Sequence, residues 1–357
     1  MVYLDYAATC PVVKYPQRLY RDVLGKGYFF NPNANYAYKE KHLLSEAEDR
    51  VKKAIGAKSG KVIFGGTSSQ LIENLMNVIL SSEYSCDVFC SKYEHDSFFR
   101  YRDDSFYDKD ELELLLSQVD NYTIPVVLWQ AVQNITGEIF PTKQIGELIH
   151  QYHGFYICDG TAQIGHTPIE PNIDDWCDFY CFSGHKAGTE LGIGCCWISD
   201  RLDKWLNGFK LHGTPNLAGA LALTQAVEDS CEKIYLKDNK WMGLFNKLYC
   251  LLKQNDVNVK PIADMPPSTC AINAIRLPGL NARALQSYLA SKEIYIGLGQ
   301  SSCADKADRR ILCQGYGLSE QEADEVIRIS FGEDSKVEDI KALVKNICEF
   351  KKIYLDN

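Results

Sequence analysis

The sequence predicts an α/β fold: a large domain built on a mostly parallel sheet sandwiched by helices, with a smaller α+β domain beside it. Two observations carry this. Short, nearly unbroken apolar runs alternate with amphipathic stretches from about residue 60 to 200, and beyond about residue 233 that alternation gives way to a different pattern. The runs at 61–64, 87–90, 126–130, 155–159, 178–183 and 193–198 read as strands covered on both faces. Stretches 70–80, 109–118 and 142–152 read as the helices between them. A helix at 39–55 precedes the block, with Leu43, Leu44, Ala47, Val51, Ala54 and Ile55 on one face, and 217–250 follows it as a long helix with a bend or break. The remainder reads as strand 271–277, helix 281–291, strand 293–298, strand 326–330 and helix 335–351. The expected division is 15–232 for the large domain, and 1–14 with 233–357 for the small one. No fixed-period repeat is visible.

Composition narrows the function. A hydrophobic content of 46% over 357 residues supports a full core, and no segment is low in complexity. The formal charge of −9 argues against direct nucleic-acid binding, which needs a basic face. Fourteen cysteines are too sparse for a disulfide scaffold. Cys86, Cys90, Cys158, Cys177, Cys181, Cys195 and Cys196 fall in apolar runs and read as small core residues, and no pair of CxxC motifs suggests zinc. The first residues lack a basic-then-apolar leader and no run reaches about 18 apolar residues. The expectation is a cytoplasmic protein with no membrane contact and no metal.

Polar residues gather where the strands end, the place where open α/β sheets bind ligands. Asp159 closes the 155–159 run, Ser183-Gly184-His185-Lys186 closes 178–183, His95 follows 87–90, and Asn134 follows 126–130. A lysine near an acid at a sheet rim has two readings. One is a salt bridge; the other is a desolvated amine that forms a Schiff base. Gly65-Gly66-Thr67-Ser68-Ser69-Gln70 supplies a strand, a glycine turn, hydroxyls and a helix start, which together can cradle a phosphate. Pyridoxal 5'-phosphate (PLP) needs all of these: an amine, an acid at its pyridine nitrogen and a phosphate site.

In order along nearly the whole chain, these motifs resemble the cysteine desulfurases and selenocysteine lyases of the class V aminotransferase family, a resemblance that implies the fold of the PLP-dependent transferases (fold type I), with a large-domain sheet of the seven-stranded type. The similarity runs from Tyr3-Leu4-Asp5-Tyr6-Ala7-Ala8-Thr9 to Ile327-Arg328-Ile329-Ser330-Phe331-Gly332, and its most specific piece is Phe182-Ser183-Gly184-His185-Lys186 followed by Gly192-Ile193-Gly194. The resemblance implies that Lys186 carries PLP and shuttles the substrate α-proton, that Asp159 pairs with the pyridine nitrogen, and that His95 stacks on the ring. It implies that Ser68, Ser69, Ser183 and His185 hold the phosphate and that Asn134 contacts the ring hydroxyl and the substrate. Arg328 would grip the substrate carboxylate. Thr214, in His212-Gly213-Thr214, matches a threonine that reaches the neighbouring subunit's phosphate, which implies a homodimer. Cys303, in Gln300-Ser301-Ser302-Cys303-Ala304, matches the nucleophile that takes sulfur from L-cysteine as a persulfide, leaving alanine. A polar loop suits a reactive thiolate better than the helical setting read for Cys313. The acceptor would be an iron–sulfur scaffold or a thiolation carrier, and a selenocysteine lyase, transaminase or other β-lyase is the alternative.

The sequence departs from the family pattern in places. Gln163, expected at the ring hydroxyl, stands four residues after Asp159 rather than three, so a bulge must restore it or Ala162 takes its place. Ser69 replaces a common threonine, Gln70 a glutamate and Leu211 an arginine, while Glu333 stands where a basic residue is frequent. These leave the subfamily and the sulfur acceptor open.

Overall fold

A computed structural model describes residues 1–26, 34–263, 268–300 and 309–355. The chain divides into two compact units, one comprising Met1–Cys10, Gln133–Ile139 and Lys233–Asn357, the other Pro11–Val132 and Phe140–Glu232.

Strand β1 (Val2–Leu4) opens the first unit, and the chain then enters the second through α1 (Lys14–Gly25) and α2 (Tyr38–Ala54). There it alternates through β2 (Lys61–Gly65), α3 (Ser68–Leu80), β3 (Ser85–Ser91), α4 (Asp96–Phe99), β4 (Asp104–Phe106), α5 (Lys109–Leu116) and β5 (Thr123–Leu128). It continues with α6 (Thr142–Gln151), β6 (Phe155–Asp159), β7 (Phe179–Ser183), α7 (Gly184–Ala187), β8 (Gly194–Ile198), α8 (Asp200–Trp205) and α9 (Leu217–Glu232). The seven strands lie in the order β2-β8-β7-β6-β5-β3-β4. All neighbouring pairs are parallel except those made by β8, which runs antiparallel to both β2 and β7.

The apolar runs of this sheet are unbroken because both faces are covered. Tyr156, Cys158, Tyr180, Phe182, Cys195 and Trp197 face one apolar layer, shared with α1, α2, α5, α6 and α9. Their alternates Phe155, Ile157, Phe179, Cys181, Cys196 and Ile198 face the other, shared with α3, α4 and α8. Burial pushes the thiols of Cys177, Cys181, Cys195 and Cys196 upward, so these cysteines are inert packing.

At Lys233 the long helical stretch breaks (φ −95°, ψ 0°), and α10 (Ile234–Gln254) begins. The first unit then adds β9 (Lys260–Pro261), β10 (Ile272–Arg276), α11 (Ala282–Ser291), β11 (Ile294–Leu298), a π-helical turn at Ile311–Gly315, α12 (Glu320–Ala323), β12 (Val326–Ser330) and α13 (Val337–Leu355). Its five strands are ordered β1-β11-β12-β10-β9, mixed in direction, with β12 central. The excursion Gln133–Ile139 is knitted into this unit. Thr269 N–H donates to the Gly137 carbonyl at 2.8 Å, and Tyr316 Oη donates to Glu138 Oε2 at 2.6 Å. Gly137 has φ +79°, and a Cβ there would stand 2.2 Å from the Ile272 carbonyl oxygen, so only glycine fits. Among the described residues no helix is long and apolar enough to cross a membrane.

Candidate functional site

In the large sheet, Gly194 of β8 lies opposite Gly65 on one side and Ser183 on the other. This register brings the turn after β2 beside the turn after β7. A Cβ at Gly194 would meet the Phe182 carbonyl oxygen at 2.9 Å, Thr67 C at 3.1 Å and Ser68 N at 3.2 Å. The bare Cα therefore lets the start of α3 settle against the sheet. Thr67 caps that helix, its hydroxyl accepting from Gln70 N–H at 3.1 Å. Ser68 N–H donates to Ser183 Oγ at 2.9 Å, and the two hydroxyls lie 2.8 Å apart. Ser69 is exposed on the first turn of α3. Helix amides, hydroxyls and the positive end of a 13-residue helix dipole come together here, an arrangement that could hold an anion.

Lys186 and His185 sit half-buried on α7, immediately past Ser183. Burial, and then the neighbouring Lys186 charge, push the His185 imidazole down from 6.5 to about 4. At neutral pH it is an uncharged ring able to donate to an anion without adding a second cation beside the lysine.

On the next strand, Asp159 ends β6 opposite Cys181 and is nearly buried. Its Oδ1 accepts from Thr161 N–H at 2.8 Å, which fixes the carboxylate plane. His95 follows β3 and caps α4: Nδ1 accepts from Ser97 N–H at 3.2 Å. Asp159, Lys186, His185, Ser183 and Ser68 thus share the carboxyl rim of one sheet, with His95 just beyond the end of β3 at the same rim.

Gln163 does not join them. It is 2% exposed, its Nε2 donates to the Pro168 carbonyl at 2.9 Å, and its Oε1 accepts from Tyr180 Oη at 2.9 Å. The extra residue between Asp159 and Gln163 turns this side chain into the core, and the expectation that it meets a ring hydroxyl is corrected accordingly. Thr214 lies exposed in the loop before α9. Cys303 lies outside the described residues.

The first unit carries its own polar centre. Arg328, on central strand β12, is 5% exposed; Nη2 pairs with Asp5 Oδ1 at 2.8 Å and Nη1 donates to the Asn134 carbonyl at 2.9 Å. Its buried Nε has no partner among the described residues. A Cβ on Gly297 would stand 2.6 Å from Asp5 Oδ1 and 2.9 Å from Arg328 Nε, so glycine is what admits the pair. The Asn134 side chain is half-buried, and its Oδ1 accepts from Gln133 Nε2 at 3.2 Å. A buried guanidinium with one N–H to spare suits a carboxylate ligand. Sequence reasoning gave no role to Asp5 or to Glu94, whose carboxyl is fully buried beside His95. An acid at a strand end was the signal for Asp5; Glu94 had none.

Fold and rim together define an α/β protein that presents a lysine, a carboxylate and an anion-binding helix start at the carboxyl ends of a mainly parallel sheet. The sequence model of the aminotransferase class-V family matches residues 2–343, and the chain belongs to that family. A putative cysteine desulfurase IscS 1 of Bacillus subtilis (strain 168) is 23% identical over 378 residues, 98% of each chain. A cysteine desulfurase IscS of Dictyoglomus turgidum is 28% identical over 255 residues, 64% of this chain and 63% of its own. The same fold is found in a NifS-like protein from Rickettsia africae, at TM-score 0.84 with 21% identity over 100% of both chains. It recurs in a cysteine desulfurase from Thermococcus onnurineus, at TM-score 0.80 with 19% identity over 98% of this chain and 94% of that one.

Proposed function

We propose that this chain is a PLP-dependent cysteine desulfurase that converts L-cysteine to L-alanine and passes the sulfur, through a persulfide on Cys303, to an acceptor protein. The observation that carries the reading is the single rim on which Lys186, Asp159 and the Ser68–Ser183 corner stand together. These residues fit PLP. The α3 amides, Ser68, Ser183 and His185 would hold the phosphate, with Ser69 at the mouth, and Asp159 would keep a proton on the pyridine nitrogen. His95 would stack on the ring and Asn134 would reach its hydroxyl. When bound, PLP supplies an aldehyde for the amine and an electron sink for the substrate.

The chain's residues then divide the work. The Lys186 ε-amine holds the cofactor and moves the proton at the substrate Cα. His185, uncharged at neutral pH, would donate to the phosphate without adding a cation beside the amine that must react. Arg328, oriented by Asp5, would hold the substrate carboxylate, where two N–H groups fix the direction in which the side chain points. Cys303 would take the substrate sulfur as its thiolate. Thr214 would serve a second copy's phosphate, which makes the working form a homodimer. The names of the relatives support the substrate, and the acceptor would be an iron–sulfur scaffold or a thiolation carrier.

The test is the absorption spectrum of purified protein before and after L-cysteine, with alanine and sulfide measured in the same tube. A visible chromophore, alanine formation and borohydride fixation of a pyridoxyl group on Lys186 are expected. Turnover of selenocysteine alone, or of alanine with a keto acid, would move the assignment to a lyase or a transaminase.

A further inference from the structure

His95 sits four residues beyond the end of β3, half-buried at the start of α4. The residue before it is different. Glu94 is 0% exposed, and a buried carboxyl is costly where an apolar side chain would serve. Its Oε1 accepts a short hydrogen bond from the Gln130 backbone N–H. Gln130, itself 2% exposed, returns a bond from Nε2 to the Tyr93 carbonyl at 2.5 Å.

Strand register explains the acid. The β3–β5 ladder ends at Cys90 opposite Leu128. Past it, Trp129 and Ala131 turn their N–H groups to the other side, donating to the Ile157 and Asp159 carbonyls at 3.2 and 3.0 Å. Gln130 N–H points back toward β3, where the strand has already ended and offers no carbonyl. The Glu94 carboxyl stands in for it. One side chain thereby fastens the His95 turn to the strand extension that also holds Asp159.

We infer that Glu94 is a positioning residue that sets the spacing between His95 and Asp159. The inference deepens the functional reading above and rests on it for the two groups' roles. It needs reach rather than charge, so the amide of Glu94→Gln keeps the brace and the shorter Glu94→Asp breaks it. The experiment compares both variants with wild type in two ways: amide hydrogen exchange of segment 126–131 without cofactor, and PLP affinity with the visible circular dichroism of the bound chromophore.

Glu94→Asp is expected to lose protection at 130 and to bind PLP about tenfold more weakly with reduced dichroism, the scale of one lost buried hydrogen bond. Glu94→Gln is expected to match wild type in every readout. Wild-type affinity and dichroism in Glu94→Asp, or equal damage in both variants, would overturn the inference. If Glu94→Asp does not fold, the wild-type protein still decides: its Gln130 amide is expected among the slowest to exchange in segment 126–131, and fast exchange there would overturn the inference. A wild type that takes up no PLP would instead sink the functional reading, while hydrogen exchange would still decide whether the brace exists.

Discussion

The large sheet has two rims that use charge in opposite ways. At the amino rim, Asp178 just before β7 is 1% exposed and fully engaged. Its oxygens accept from Arg201 Nε (2.9 Å) and Nη2 (2.7 Å), Ser199 Oγ (3.0 Å) and Tyr156 N–H (3.0 Å), and His150 Nε2 lies 2.9 Å away. Burial alone would push this carboxyl up; the bonds from His150 and Arg201 and the arginine's charge reverse that and hold it below its ordinary 3.8. At the carboxyl rim, by contrast, Lys186 and His185 are half-buried, and Asp159 Oδ1 accepts from the nearby Thr161 N–H. Saturated charge staples a fold; partly committed charge is what a binding site needs. The same sheet carries a fully buried, multiply bonded carboxylate at one rim and half-buried ionisable groups at the other.

This contrast can be broken by mutation. The largest effect should come from Lys186→Ala: a fall in turnover of about a thousandfold or more, as expected for the loss of a positioned amine, with little change in the thermal midpoint. Steady-state rates with L-cysteine beside a melting curve decide it, and a large drop in melting temperature would mean that the carboxyl rim is structural too. Arg201→Ala should do the reverse, costing about 3 kcal/mol in urea unfolding by leaving Asp178 buried with fewer partners, while PLP binding is kept. Gly194→Ala should be smaller and mixed. A Cβ pressed on Thr67 and Ser68 moves the anion corner and weakens PLP binding about tenfold in a fluorescence titration.

Acid sharpens the comparison with the mildest effect. The folded state lowers the His185 value from 6.5 to about 4, so the unfolded chain binds the proton more readily in that window. The associated stability is present above pH 6.5 and lost as pH falls toward 4. Asp178, also lowered, contributes stability above its ordinary 3.8 that is lost only in stronger acid. His185→Asn should flatten the melting temperature between pH 6.5 and 4 and leave the steeper acid limb intact. An unchanged slope in the variant would assign that window to another group.

Much of this was legible in the chain. The period-free apolar runs of β6 and β7, the glycine turn before α3 and the Ser183-Gly184-His185-Lys186 stretch are local patterns, and a strand buried on both faces leaves its mark in consecutive residues. The break at Lys233 was legible only as a bend or break, because helix ends depend on packing beyond the segment.

What tertiary structure alone decided are the pairings between residues far apart in sequence. Nothing near Arg328 names Asp5 as its partner, nothing in 133–139 tells that this segment packs with the C-terminal unit, and nothing beside His95 points to Gln130. Gln163 shows the limit from the other side: its distance from Asp159 was readable, but the hydrogen bonds of Tyr180 and Pro168 chose the core for it. Periodicity encodes which face of an element is buried. It carries no record of which remote donor will meet a given acceptor, since that is settled by strand order and register once the sheet has closed.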